Sequence, residues 1–279
     1  NAARQLALSR YDSAGRMTTD GLRTFRWDAA SRLREAVSGA TTLRFDYDAF
    51  GNIVGAARQW VWNYATALPS PSIERNGVND LNYHIFTPAG EWLYSIDAQG
   101  AVLYGHLDES GNAMALTNQL GAIVETYVVT PYGETVSRSG GSNNPFTFRA
   151  AEGVIDLTSV GLYAMRARFY DANSSRFLSP DWLLQTAAAR ANPYNYASSN
   201  PVAFSDPTGL SPTLLPTQPI VPREQITARL FESVQVQPPA QPVVAASVMT
   251  PLAAFALSPL EIGAAALQPR SEERRVGKE

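Results

Sequence analysis

The sequence predicts a mainly β protein made of consecutive antiparallel hairpins, with a largely irregular C-terminal tail. Three observations predict it: a recurring aromatic-Asp turn string, an even spacing of turn glycines, and a break in composition near Leu210. The 279 residues are 45% hydrophobic and 17% charged, enough apolar material for a sizeable core.

The turn string comes first along the chain. Arg10-Tyr11-Asp12-Ser13-Ala14-Gly15-Arg16 is followed by Arg26-Trp27-Asp28-Ala29-Ala30-Ser31-Arg32, then by Asp46-Tyr47-Asp48-Ala49-Phe50-Gly51-Asn52. Asp at the first position of a type I turn accepts a backbone N–H, and Gly at the fourth tolerates positive φ. The preceding aromatic ends a strand and packs across neighbouring strands. Flanking segments such as Leu43-Arg44-Phe45-Asp46-Tyr47 alternate with the period of two that a half-buried strand requires.

After a less regular stretch at 55–85, glycines fall at Gly90, Gly100, Gly111, Gly121 and Gly133, one strand plus one turn apart. The runs Trp92–Ile96, Val102–His106 and Ile123–Val129 lie between them as strands, and no helix longer than about ten residues is expected before Asp181. A short helix is expected over Leu183–Ala191.

The third observation is the break. Residues 211–279 hold only two aromatics, Phe231 and Phe255, but ten of the 19 prolines. The expected division is therefore 1–103 as hairpins, 104–210 as a closing unit, and 211–279 as a Pro/Ala-rich tail. An amphipathic helix is expected near Glu224–Val234. Residues 270–279 look like a translated vector scar and are set aside. The uncharged run Ser233–Leu260 is long enough to cross a bilayer, but five prolines interrupt it, so no membrane span is expected. The chain starts at Asn1 inside a repeat and is read as a piece of a longer protein.

Composition excludes several chemistries. Without cysteine there is no disulfide, thiolate nucleophile or cysteine-zinc site. A net charge of −3 speaks against a broad nucleic-acid surface. The two histidines, His84 and His106, are 22 residues apart and form no helical metal pair. A Ser-His-acid arrangement would have to pass through one of them, although a strand or turn role is the plainer reading of each. No cofactor and no metal are expected.

These strings resemble the YD repeats of RHS proteins, and Tyr104–Asp181 resembles the RHS-repeat-associated core. The carrying residues are Gly105-His106-Leu107-Asp108, Thr130-Pro131-Tyr132-Gly133-Glu134, Asn144-Pro145-Phe146 and Phe148-Arg149. Ala167-Arg168-Phe169-Tyr170-Asp171, Arg176-Phe177-Leu178-Ser179-Pro180-Asp181 and Asp206-Pro207-Thr208-Gly209-Leu210 complete the series. The resemblance implies a spiral sheet of hairpins closing into a shell, with the core as its plug. At this length it implies an open, curved part of that shell with exposed edges. The resemblance also implies a variable segment after Leu210, held as cargo and often a toxin. Two aspartates would release it by self-cleavage.

Carried over onto this sequence, the aspartates are Asp181 and Asp206, and the cut bond is Leu210–Ser211. Two adjacent carboxylates can share one proton, so one activates water while the other polarises the peptide carbonyl. Arg168 and Arg176 are candidate electrostatic supports. The sequence departs from the family at Asp181-Trp182-Leu183-Leu184, where a second Asp-Pro-x-Gly string is usual, at Ala172 for Pro and at Ser175 for Gly. The plainer readings are a turn role for Asp206 and a capping role for Asp181. The alternative function is a non-enzymatic, secreted or cell-surface protein whose aromatics contact carbohydrate or cell envelope. Either reading places the parent protein outside the cytoplasm.

Overall fold

Turn chemistry sets the strand boundaries. Asp12 Oδ1 accepts the N–H groups of Ala14 (3.0 Å) and Arg16 (2.9 Å), while Gly15 N–H closes on Asp12 O. Asp28, Asp48 and Asp108 repeat this arrangement, and Thr87 and Thr130 supply it through a hydroxyl. A register shift sits just before each of these turns, so the ladder bends as the chain enters it. The aromatic before the turn carries a polar tip for a reason: Trp27 Nε1–H donates to Met17 O (2.7 Å), Tyr47 O–H to Leu33 O (2.5 Å) and Trp62 Nε1–H to Ile53 O (2.7 Å). Each one staples its hairpin to the preceding hairpin, which Phe could not do.

The computed structural model describes residues 8–183, 192–210 and 212–215. They belong to one unit spanning residues 1–220. Nearly all of the expected helix over 183–191, and all of the tail helix near 224–234, lie outside the described residues.

Strands β1–β5 (Arg10–Tyr11, Met17–Thr19, Arg23–Trp27, Leu33–Ser38, Thr41–Arg44) form a five-stranded sheet in sequence order. Strands β6–β15 form a ten-stranded sheet, also in sequence order: Asp46–Tyr47, Ile53–Gly55, Gln59–Asn63, Ser70–Asn76, Asn79–Phe86, Trp92–Asp97, Val102–Leu107, Ala113–Asn118, Ile123–Val129 and Thr135–Ser139. The stretch at 55–85 is as strand-rich as the rest. It lacks the Asp…Gly string because its connections are a short turn at Ala56–Arg58, a Pro-containing loop at 64–69 and the Gly77-Val78 hairpin turn.

Between the two large sheets Phe45, fully buried, turns into the core and meets Phe169 edge-on at 4.9 Å. Strands β16–β19 (Ile155–Leu157, Leu162–Met165, Arg168–Asp171, Arg176–Phe177) make a four-stranded sheet, and β20 pairs with β21 (Phe204–Ser205, Thr213–Leu214). The architecture is therefore mainly antiparallel β with open sheets, and the outer strand β15 is exposed throughout.

The core is where the repeat strands meet the chain beyond Ser142. Met17, Phe25, Leu33, Trp60, Trp92 and Leu116 point inward from the two sheets and pack with Phe146, Ile155, Phe169 and Leu178. Phe146 alone contacts Trp60, Phe86 and Trp92. A second cluster, Phe148, Tyr163, Tyr170, Phe177 and Tyr196, lies within the chain beyond Ser142. These buried rings supply the apolar area that offsets the ordering of so many short strands.

Candidate active site

The β17–β18 turn carries two arginines. Arg166 takes a left-handed conformation (φ 51°), and Arg168 opens β18. The Asp206-Pro207-Thr208-Gly209 turn docks on them. Ala167 N–H donates to Thr208 O (3.2 Å), Arg166 Nη1 to Pro207 O (2.5 Å) and Arg168 Nε to Gly209 O. Gly209 has φ +71°, and a Cβ there would lie 2.4 Å from Met165 O, so only glycine allows this approach.

Arg168 joins the two aspartates named from the sequence. Its Nη2 lies 3.1 Å from Asp206 Oδ2 and 3.4 Å from Asp181 Oδ2, and all three side chains are buried. Its Nη1 donates to Pro193 O (3.0 Å), and Asp181 N–H donates to the same carbonyl (2.8 Å). The guanidinium stacks 3.6 Å above the Phe177 ring. Burial pushes its pKa down, and the charges of Asp206 and Asp181 work against that. Arg176, the other candidate cation, stands in β19 opposite Asp171 and bridges to Asn195.

The turn reading of Asp206 is present as well, while the helix that Asp181 would cap lies outside the described residues. Asp206 O accepts Gly209 N–H (3.1 Å), as in a type I turn, and Asp181 Oδ1 accepts Leu183 N–H (2.8 Å). The turn also delivers the chain to the site: Leu210 N–H donates to Asp206 Oδ1 (2.9 Å). Because β21 pairs back onto β20, the chain on both sides of residue 211 is held beside Phe204 and Ser205. Ser211 itself lies outside the described residues.

The model of the Teneurin YD-shell family matches residues 5–202. The chain belongs to the Teneurin YD-shell family. Among its relatives are the tRNA3(Ser)-specific nuclease WapA of Bacillus spizizenii, 27% identical over 209 residues, and the tRNA nuclease WapA of Bacillus subtilis, 28% identical over 209. Each match covers 71% of this chain and 9% of the relative, so the chain spans about a tenth of their length. Among solved structures, the Photorhabdus luminescens Tc holotoxin pore with mutated TccC3 aligns with TM-score 0.57 and 18% identity. That alignment covers 77% of this chain and 11% of the other. TcdB2-TccC3 aligns with TM-score 0.55 and 17% identity, over 75% and 11%. These likenesses show a shared fold, and the RHS-type repeat reading stands with them.

Within this YD-shell chain, a cavity of about 450 Å³ adjoins the site, lined by Arg166, Arg168, Pro180, Trp182 and Leu210 together with the repeat turns at Ser31 and Gly51. Sequence reasoning missed Glu152. Burial pushes its carboxyl pKa up, against the opposing charges of Arg149 and Arg166, and its Oε2 has no hydrogen-bond partner. It missed Arg166 too, whose Nη2 ties Pro69 O (2.8 Å) and Glu152 O (2.7 Å) to the turn that bears Asp206. The one available signal was the close spacing of Arg166 and Arg168 in an otherwise apolar stretch. The family's YD strings also place His106 on the surface, where Nε2 meets Thr117 Oγ1 at 2.8 Å across the strands.

Proposed function

We propose that this chain is the closing part of a YD-shell that holds its own C-terminal segment as cargo and cuts it free after Leu210. Asp181 and Asp206 carry the cleavage. The observation that supports this most is the shared contact of both carboxylates with Arg168 Nη2, while Leu210 N–H rests on Asp206. In this reading the two carboxylates share a single proton, as adjacent acids can. The ionised member takes a proton from water, whose oxygen attacks the Leu210 carbonyl carbon. The protonated member donates to the carbonyl oxygen. Collapse of the adduct breaks the bond to Ser211, whose nitrogen takes the proton and leaves as an amine. Arg168 steadies the charge on the pair, and the hairpin of β20 and β21 makes the reaction intramolecular, so modest catalysis suffices for one turnover.

In this reading residues 104–210 act as plug and protease, and the tail is the variable segment. The parent protein works outside the cytoplasm, as a secreted or surface shell. The toxin-related relatives favour a toxin cargo. The test is expression of the full chain beside Asp206→Asn and Asp181→Asn, followed by gel analysis and sequencing of the released N-terminus. A fragment that starts at Ser211 and disappears in both variants supports the reading. Equal cutting in all three chains, or none in any of them, rejects it.

A further inference from the structure

Three neighbouring strands lay a glutamate, a histidine and a serine in one row on the buried face of the ten-stranded sheet. The register sets His84 of β10 directly opposite Ser95 of β11. A shift between Asp80 and Asn82 sets Asn82 opposite Glu74 of β9. His84 Nδ1 is 2.7 Å from Ser95 Oγ, and His84 Nε2 is 3.8 Å from Glu74 Oε2, too long for a hydrogen bond. All three side chains are buried.

The proton positions follow from the donors. Trp92 Nε1–H can only donate, and it does so to Ser95 Oγ at 3.2 Å. Ser95 Oγ has a second lone pair, so Glu74 decides the tautomer: the ring proton sits on Nε2, facing the carboxylate, and Ser95 turns its own proton toward His84 Nδ1. The opposite tautomer would aim a lone pair at the carboxylate. Glu74 is held by Asn82 Nδ2 (2.6 Å) and by the Arg58 guanidinium. Trp60 stacks on the imidazole at 5.8 Å and Phe146 meets it edge-on at 4.8 Å, so the ring is fixed in place. A cavity of about 460 Å³, a size that suits small ligands, is lined by Ser95, His84, Asn82, Arg58, Asn143 and Asn144.

We propose that Ser95 is the nucleophile of an acyl-transfer site for small carboxylic esters, with His84 as its base and Glu74 as a positioning residue. This site is separate from the aspartate pair and does not depend on it. Ser95 Oγ attacks the ester carbonyl carbon as its proton passes to His84 Nδ1. The bond to the alcohol oxygen then breaks, and the alcohol leaves with that proton. Water repeats the sequence on the acyl-serine: it gives a proton to His84, forms the acid, and the proton returns to Ser95 Oγ. Glu74 faces the imidazolium formed at each step. Burial keeps the His84 pKa below the usual imidazole range, so the ring is in its basic form at neutral pH. The Asn82 bond and the Arg58 charge keep Glu74 ionised against the cost of burial.

The test treats the folded full chain with a fluorophosphonate and maps the adduct by mass spectrometry, then follows 4-nitrophenol release from 4-nitrophenyl acetate. An adduct on Ser95 in the unmutated chain is expected, with loss of labelling in His84→Gln and a fall in turnover of about 100-fold. Glu74→Gln is expected to lower kcat with KM held. Mapping the adduct on the unmutated chain keeps the proposal testable even if Ser95→Ala destabilises the fold. No adduct on Ser95 in folded protein, or an adduct indifferent to His84→Gln, overturns it.

Discussion

Arg149→Met is the substitution that tests the packing argument most directly. Arg149 is 1% exposed, and its guanidinium reaches four acceptors: Tyr196 Oη (3.0 Å), Ser110 O (2.5 Å), Pro201 O (2.7 Å) and Phe204 O (3.1 Å). Those acceptors come from a repeat turn and from both ends of the segment leading to Asp206. The methionine fills much of the space but donates nothing, so one buried and two part-buried carbonyls lose their donor, at up to about 1–3 kcal/mol each. Relief of the guanidinium's own desolvation offsets part of this, giving a net loss of about 3–5 kcal/mol. Urea unfolding reads it. At a slope of about 2 kcal/mol per M, the midpoint falls by about 2 M. Arg44→Met is the control, because Arg44 pairs with Glu35 from a side chain that is 78% exposed, and its loss stays within about 0.5 kcal/mol. A loss below about 1 kcal/mol for Arg149→Met would refute the view that this arginine ties residues 196–204 to the repeat turn at Ser110.

Three other predictions concern turns, packing and pH. Ser31 occupies the glycine place of its turn with φ 61°, so Ser31→Gly should raise stability by about 0.5–1 kcal/mol, and a lowered melting temperature would count against the turn assignment. A Cβ on Gly105 would lie 2.4 Å from the buried Trp92 ring, so Gly105→Ala should cost about 1–3 kcal/mol in chemical denaturation, and an unchanged midpoint would contradict that packing. Stability should pass through a maximum at mildly acid pH. Burial raises the Glu152 and Asp156 carboxyls, so the folded state takes up their protons first and gains stability as pH falls through those raised values. Asp20 and Glu74 resist burial's upward push through backbone N–H donors to Asp20, side-chain donors to Glu74, and the charges of Arg23 and Arg58. Their folded values are depressed, so stability is lost on further acidification below the ordinary carboxylate range. A monotonic decline from pH 8 to 3 in urea midpoints would contradict the assignment.

The hairpins were legible because their information is local. Asp12, Asp28 and Asp48 each bind N–H groups two and four residues away, so the string in the sequence is the turn in the structure. The stretch at 55–85 was harder because Gly77-Val78 and the loop at 64–69 reach similar geometry without that string. Pattern alone could not place Arg149, Arg166 and Arg168 inside, since arginine is ordinarily a surface residue. Their burial depends on carbonyls contributed from far along the chain. The meeting of Asp181 with Asp206 on one guanidinium likewise comes from packing and is written in no spacing. The row of Glu74, His84 and Ser95 depends on register shifts in β10 that no periodicity reveals.

The strict sequence order of the first fifteen strands has a consequence for assembly. As the chain leaves the ribosome, each new ribbon finds its partner already waiting beside it, with only a short loop to close, and such steps are fast. The late-made residues must then reach back across the finished ribbons: Tyr194 O–H donates to Gly15 O and Met17 N–H to Leu178 O. This order predicts that the late residues seat last, since the rings of Trp60, Phe86 and Trp92 are covered by Phe146, which is made after them.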